Sequence, residues 1–455
     1  MPGSKATQNP SPNAARPPLP AKFHEAFLYW LKLGFISFGG PAGQISIMHH
    51  DLVEQKKWIS NNRFIHALNF CMILPGPEAQ QLSIYIGWLM HGTAGGLVAG
   101  ILFILPSFII LNILGWIYMS YGTLPVIAGI FYGIKPAVVA IVIFASYRIG
   151  VRTLKNNTYL YLAVLSFIAV FLHLVSFPLI ILLAGLAGYI LNINSIVEVK
   201  PLFIDNKLIH SNALINDDTP LPEYAKFRWN RFIKVATVGM TIWCFSMMML
   251  IHVYGSDSIA IKLSLFFTKA ACLTFGGAYA VLPYVMQGAV EQYHWLNPNQ
   301  MIDALALGET TPGPLIMVVT FVGFISGWSS QSFITGMPLS SALIGASIVT
   351  FFTFLPSFLL IFLGAPFIES SFGNLKLIAP LESISAAIVG VILNLAIFFA
   401  VHVFFPKGVT GSPDFVSLGM VILALIGIFR FKVGTIPIIF SCGVVGMAIK
   451  LVNLS

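Results

Sequence analysis

Apolar residues run in long blocks along this chain, and polar residues are largely confined to short gaps between them. A helix that crosses a bilayer needs about 20 mainly apolar residues. By that measure the pattern predicts about thirteen spans, centred near residues 35, 77, 106, 137, 166, 185, 243, 273, 313, 350, 392, 421 and 443. Two segments break the rhythm. Residues 1–22 are rich in Pro, Asn, Ala and Ser, lack the apolar centre of a signal peptide, and read as a disordered tail. The stretch from Glu198 to Lys234, with Asp217, Asp218, Pro220, Pro222, Arg228 and Arg231, reads as a polar linker.

The apolar blocks repeat. Phe38-Gly39-Gly40 returns as Phe275-Gly276-Gly277, 237 residues later, and at the same offset Lys32 matches Lys269, Trp58 matches Trp295, and Pro75-Gly76-Pro77 matches Pro312-Gly313-Pro314. Further on the offset is 250, where Leu105-Pro106-Ser107-Phe108 matches Leu355-Pro356-Ser357-Phe358. Collinear matches of this kind indicate an internal duplication. The expected organisation is a first repeat over 23–195, a cytoplasmic linker over 196–232, a connecting transmembrane helix over 233–254 and a second repeat over 255–455. The fold class is all-α integral membrane, with two six-helix repeats. Span one matches span eight, an odd separation, so the copies run in opposite directions, the inverted arrangement of many secondary transporters.

Composition agrees with lipid as the solvent. The chain is 57% hydrophobic and 9% charged, against about 25% charged in a soluble domain. The net charge of +8 would suggest nucleic acid in a soluble protein; here no basic patch interleaves with stacking aromatics, and the excess reads as cytoplasmic loops. Alternating thirteen spans from the N-terminus puts 15 Lys and Arg on the N-terminal side and 6 on the other, with Lys32, Lys135 and Lys269 inside spans. The N-terminus is therefore expected in the cytoplasm and the C-terminus outside. Lys56, Lys57 and Arg63 fall on the wrong side, and the count changes if span one is re-entrant. The four cysteines lie in apolar runs without metal spacing, and neither a Walker loop nor an H-E-x-x-H helix is present. No enzyme, cofactor or metal is expected.

The candidate chemistry sits at the helix breaks. Each repeat has a Gly pair, extended in the first to Gly39-Gly40-Pro41, and a Pro-Gly-Pro. Proline removes a backbone donor and clashes with the preceding turn, and broken backbone at membrane depth is tolerated where protein or a water-filled cavity receives it. A half-helix beginning after Pro77 or Pro314 would offer free N–H groups to an anion; the alternative is a packing kink. Lys32 and Lys269 each precede a Phe-Gly-Gly by six residues, at a depth where a charge costs about 3 kcal/mol, and together suit a dianion. Snorkelling to an interface is the alternative for both. Lys135 has no counterpart and is the weaker candidate. Thr310, Thr311 and Gln44 offer polar groups that suit oxyanion oxygens or helix–helix bonds equally. A carboxyl in low dielectric holds its proton more readily, so Glu78 or Glu309 is expected to couple protons to anion movement; capping of the half-helix is the alternative for Glu78.

Five segments together resemble the chromate ion transporter family, in its long two-domain form: Phe38-Gly-Gly-Pro-Ala-Gly-Gln44, Leu74-Pro-Gly-Pro-Glu-Ala-Gln80, Gly133-Ile-Lys-Pro-Ala-Val-Val-Ala140, Thr274-Phe-Gly-Gly277 and Glu309-Thr-Thr-Pro-Gly-Pro314. The resemblance runs from about residue 24 to the C-terminus. Gly277-Ala-Tyr departs from it, where many relatives carry another glycine. It implies a multi-pass carrier of the bacterial inner (plasma) membrane that exports chromate and confers chromate resistance, with sulfate as competitor or counter-substrate and the motif residues as the site. A sulfate or other oxyanion importer or exchanger, and an anion channel on the same scaffold, are the competing readings. A homo-oligomer is compatible with either.

Overall fold

The computed structural model describes residues 22–191, 213–216, 223–330, 333–370, 378–408 and 410–452. The expected disordered tail, save Lys22, and most of the expected linker lie outside these residues. The described residues are almost wholly helical. The first half comprises α1 (Phe23–Ile36), α2 (Gly40–His49), α3 (Asn61–Ile73), α4 (Glu78–Tyr121), α5 (Pro125–Thr153), α6 (Asn157–Phe171) and α7 (Phe177–Leu191). A connecting helix, α8 (Trp229–Tyr254), leads to α9 (Ile259–Cys272), α10 (Ala278–Met286), α11 (Pro298–Thr310), α12 (Val318–Ser330), α13 (Pro338–Ser370), α14 (Ile378–Phe404), α15 (Phe415–Phe431) and α16 (Thr435–Val452). The 237-residue offset reappears in the backbone. α3 and α11 start and stop at matched positions, and α2 and α10 continue into matched wide turns, His50–Gln55 and Gln287–Gln292. Lys57 and His294, also matched, both adopt left-handed backbone.

Among the described residues, six helices are long and apolar enough to cross a membrane singly: α4, α5, α8, α13, α14 and α16. The expected spans near 35, 77, 273 and 313 have a different form. Each is a pair of half-helices folded back on itself, so the predicted centre is a hairpin tip. α1 leaves the N-terminal face, stops at Ser37, and α2 with its wide turn returns. Lys56 Nζ lies 3.2 Å from Glu25 Oε1 at the other end of this hairpin, and the rings of Tyr29 and Trp58 are 5.5 Å apart. α3 then goes in to Pro75-Gly76-Pro77. The first part of α4 comes back until the chain bends at His91 and Gly92, where His91 meets the ring of Phe23. Only beyond that bend does α4 run across. In the second half α9, α10, α11 and α12 repeat the two hairpins from the opposite face, with Phe266 against Trp295 and Tyr254 against Phe333. The correction also moves Lys56, Lys57 and Arg63 to the N-terminal face, leaving 18 cations there against 3 opposite.

The linker is not a free tether where it is described. Leu214 and Ile215 bond to the backbone of Lys57 and Trp58, and the Ser60 N–H bonds back to Ile215 O. Tyr224 donates to Leu89 O at 2.8 Å. Helices cross closely where glycines face each other, as membrane helices without a solvent-driven core require. A Cβ on Gly133 of α5 would meet the backbone of Cys442 and Gly446 in α16, and one on Gly323 of α12 would lie 2.6 Å from Gly345 O in α13.

Candidate functional site

The hairpin tips meet inside the protein in two pairs, each formed across the repeats. The Gly313 N–H donates to Ser37 O at 2.7 Å, and the Gly76 N–H donates to Thr274 O at 2.7 Å. Both partners are matched under the 237 offset, so these are one bond made twice: the Pro-Gly-Pro of each repeat is tied to the Phe-Gly-Gly break of the other. Gly76 and Gly313 have φ of 136° and 100°, a region closed to most side chains. Space forbids a side chain there too. A Cβ on Gly76 would stand 2.7 Å from Ser357 Oγ, and one on Gly313 3.0 Å from Ser107 Oγ. Ser107 and Ser357 are the serines of the matched Leu-Pro-Ser-Phe segments on the crossing helices, so each crossing helix places a hydroxyl against the opposite repeat's tip. Ser107 donates to Pro312 O; Ser357 Oγ, buried, has no protein partner.

The sequence-predicted residues distribute unevenly around this junction. Gln44 lies in it, its amide donating to Gly313 O at 2.6 Å and Ser37 O at 3.2 Å. Pro77, Pro312, Gly313, Pro314 and Thr311 are buried, and Pro75, Phe38, Gly40, Pro41, Phe275 and Thr310 half-buried, while Gly39 and Gly276 are exposed. Glu78 approaches the second-repeat glycine pair, its Oε1 3.8 Å from where a Cβ on Gly277 would lie. It makes no side-chain cap for its own helix. Glu309 is buried and receives the hydroxyl of Tyr279. Arg152 and Arg148, one turn apart near the end of α5, act electrostatically on Glu78 and Glu309 respectively.

Three expectations change. Lys32 and Lys269 are exposed, not enclosed; each lies on an outer stripe of its hairpin, Lys32 with Leu28 and Phe35, Lys269 with Leu265 and Cys272, because steps of four and three residues keep them on one helix face. Lys135 is engaged elsewhere, with Asn299 Oδ1 at 3.2 Å and Asp303 Oδ2 at 3.8 Å. Thr310 and Thr311 donate to Leu307 O and Gly308 O within their own helix, so their protons are already committed. The chain after Pro314 also opens with a tight turn over Leu315–Met317 before α12, whereas α4 begins directly after Pro77.

Several polar groups were missed by reading the sequence. Ser37, Gln80 and Gln81 each carry a buried side-chain atom without a protein partner, and Gln81 donates to Pro75 O at 2.8 Å. Gln80 stands in one of the family-like segments named above; Ser37 stands just before the Phe-Gly-Gly break and belongs to none of them. Arg63 and Glu369 form a buried ion pair at 2.7 Å, with Tyr85 on the other carboxylate oxygen and Asn216 O on the guanidinium. Asp303 is held by Tyr118 at 2.9 Å. No spacing rule links these partners, since they come from distant helices.

Comparison with known proteins gives the family. The chromate transporter family matches residues 24–189 and 261–447, both repeats. A chromate transport protein of Cupriavidus metallidurans is 30% identical over 419 residues, 91% of this chain and 90% of that protein. A chromate transport protein of Pseudomonas aeruginosa is 29% identical over 454 residues, covering 97% and 95%, and a probable chromate transport protein of Synechococcus elongatus is 29% identical over 371 residues, covering 81% and 82%. No solved structure matches the chain. With both repeats matched and the helices apolar enough to span lipid, the chain belongs to the chromate transporter family and is a multi-pass membrane protein.

Proposed function

We propose that the chain is a secondary carrier that moves chromate, a tetrahedral dianion, out of the cytoplasm across the inner (plasma) membrane. The observation that carries the reading is the reciprocal bonding of the four hairpin tips, Gly313 to Ser37 and Gly76 to Thr274. Two oppositely directed hairpin pairs meeting midway give one central region that can face either side in turn, the architecture of alternating access. Relatives named as chromate transport proteins, aligned over nearly the whole chain, support the substrate. The surplus of cations on the N-terminal face supports a cytoplasmic N-terminus and a C-terminus outside.

In this reading the anion is received at the tips by Gln44, by the backbone around Gly39, Gly40, Gly276 and Gly277, and by the orphaned hydroxyls and amides of Ser37, Gln80 and Ser357. Lys32 and Lys269 attract it along the outer stripes of the hairpins. Glu78 and Glu309 carry the coupling proton: ionised they repel the dianion, protonated they admit it. Sulfate has the same shape and charge and competes.

The test is uptake of radiolabelled chromate into inverted vesicles, with sulfate as competitor and an imposed pH gradient. Saturable uptake, reduced by sulfate and driven by the gradient, is expected. Uptake that never saturates would instead fit a channel, and none in that direction would end the efflux reading. Glu78→Gln and Glu309→Gln are expected to lose the response to the gradient; a wild-type response in both removes the coupling role.

A further inference from the structure

The two repeats build the same corner differently. On the N-terminal face, where the first repeat's hairpins open, Glu25 pairs with Lys56. Lys56 stands 4.7 Å from the ring of Trp58. The linker lies across this corner, with Ile215 bonded to Trp58 and Tyr224 to Leu89. At the matched positions of the second repeat Lys262 replaces Glu25, Tyr293 replaces Lys56, His294 replaces Lys57 and Ser326 replaces Leu89. There a cleft of about 360 Å³ opens, lined by Ile259, Lys262, Tyr293, His294, Trp295 and three serines of α12. Among the described residues, no carboxylate lines it. The acid that neutralises the first corner is thus exchanged for a base, and the segment that fills it has no counterpart among the described residues.

This cleft is remote from the hairpin tips, but α9 connects the two. Lys262, Leu265, Lys269, Cys272 and Gly276 are all exposed; steps of three and four residues keep the first four on one face of α9, and Gly276 follows in the break after it. The stripe begins at the cleft, passes the second ammonium two turns deeper and ends at the glycine break. Its first-repeat equivalent begins at the neutralised Glu25 and continues through Leu28 to Lys32.

We propose that the cleft around Lys262 is a second oxyanion site, on the face opposite the N-terminus, from which a tetrahedral dianion passes along α9 to or from the hairpin tips. The ligand class follows from an ammonium with no acid among the described lining residues, the Ser329 hydroxyl as a donor (Ser326 and Ser330 donate to Val322 O and Gly327 O within α12) and room for one small hydrated ion. The inference rests on the oxyanion reading above, and its test separates the two.

Trp295 lines the cleft and reports on it directly. With the purified full chain, chromate titrated against tryptophan fluorescence at constant ionic strength is expected to quench saturably. Sulfate should compete and chloride should not. Lys262→Ala and Lys262→Gln should weaken this binding about tenfold, as loss of a charge-assisted contact does, Lys262→Arg should restore most of it, and Trp295→Phe should remove its amplitude. In vesicles Lys262→Ala should raise KM for chromate offered on the face opposite the N-terminus, with kcat little changed. Unaltered binding in both Lys262→Ala and Lys262→Gln, or full amplitude in Trp295→Phe, overturns the site. Lys262-dependent quenching in a protein that moves no chromate would keep the site and discard the carrier reading.

Discussion

Gly76 and Gly313 do the same task in two copies: each sends its N–H to the opposite repeat in a backbone conformation and a space that exclude a side chain. Gly313→Ala must leave the φ of 100° or push Ser107 aside. Loss of transport with a fall in stability of about 1–3 kcal/mol is expected, the range for a strained position; thermal unfolding of the purified chain measures it. The two seat serines should separate stability from function. Ser107→Ala gives up a bond to Pro312 O and is expected to cost about 1 kcal/mol. Ser357→Ala gives up no protein bond, so its unfolding temperature should hold while chromate KM rises. An unchanged KM would remove Ser357 from the site. The exposed lysines are a gentler case than enclosed ones. Lys32→Ala and Lys269→Ala should slow transport in a salt-dependent way, since attraction between accessible charges is screened.

Between elements, the buried Arg63–Glu369 pair joins α3 to the end of α13, with Tyr85 of α4 as third member. Both charged side chains are nearly inaccessible, at 5% and 0%, so removing one leaves the other buried without compensation. Glu369→Ala is expected to destabilise by about 3–5 kcal/mol, and replacing both members with Leu should cost less than either single change. The matched crossing of α11 with α4 is built otherwise: Asp303 with Tyr118, and Lys135 at the longer distance of 3.8 Å. The duplication kept the packing of these helices and let the polar pairs diverge. The same divergence appears at the hairpin mouths, where the linker covers the first repeat and a cleft opens in the second.

For the whole molecule, the hairpins make a topological prediction. Cysteines placed at His24 and Lys57 should both react with an impermeant maleimide from the N-terminal face, and one at Lys407 from the other, each measured against the wild-type background. Labelling of Lys57→Cys and Lys407→Cys from a common side would mean that α1 and α2 form one continuous span. The inverted relation survives the change from thirteen simple spans, because an odd number of crossings still separates α1 from α9.

Membrane residence, duplication, inversion, the two breaks in each repeat and the family were all legible in the chain, because each depends on local composition or on identity at a fixed offset. Hydropathy registers how long an apolar run is, and a hairpin of two half-helices has the same run as one tilted span. Lys56, Lys57 and Arg63 on the wrong side were the one local hint of the difference. Contacts such as Glu25–Lys56 and Gly313–Ser37 join residues far apart in sequence, and only the packed chain brings them together. The exposure of Lys32 and Lys269, the engagement of Lys135 by Asp303 and the burial of Arg63 against Glu369 were decided there too, since which face of a helix meets protein depends on neighbours that sequence spacing does not specify.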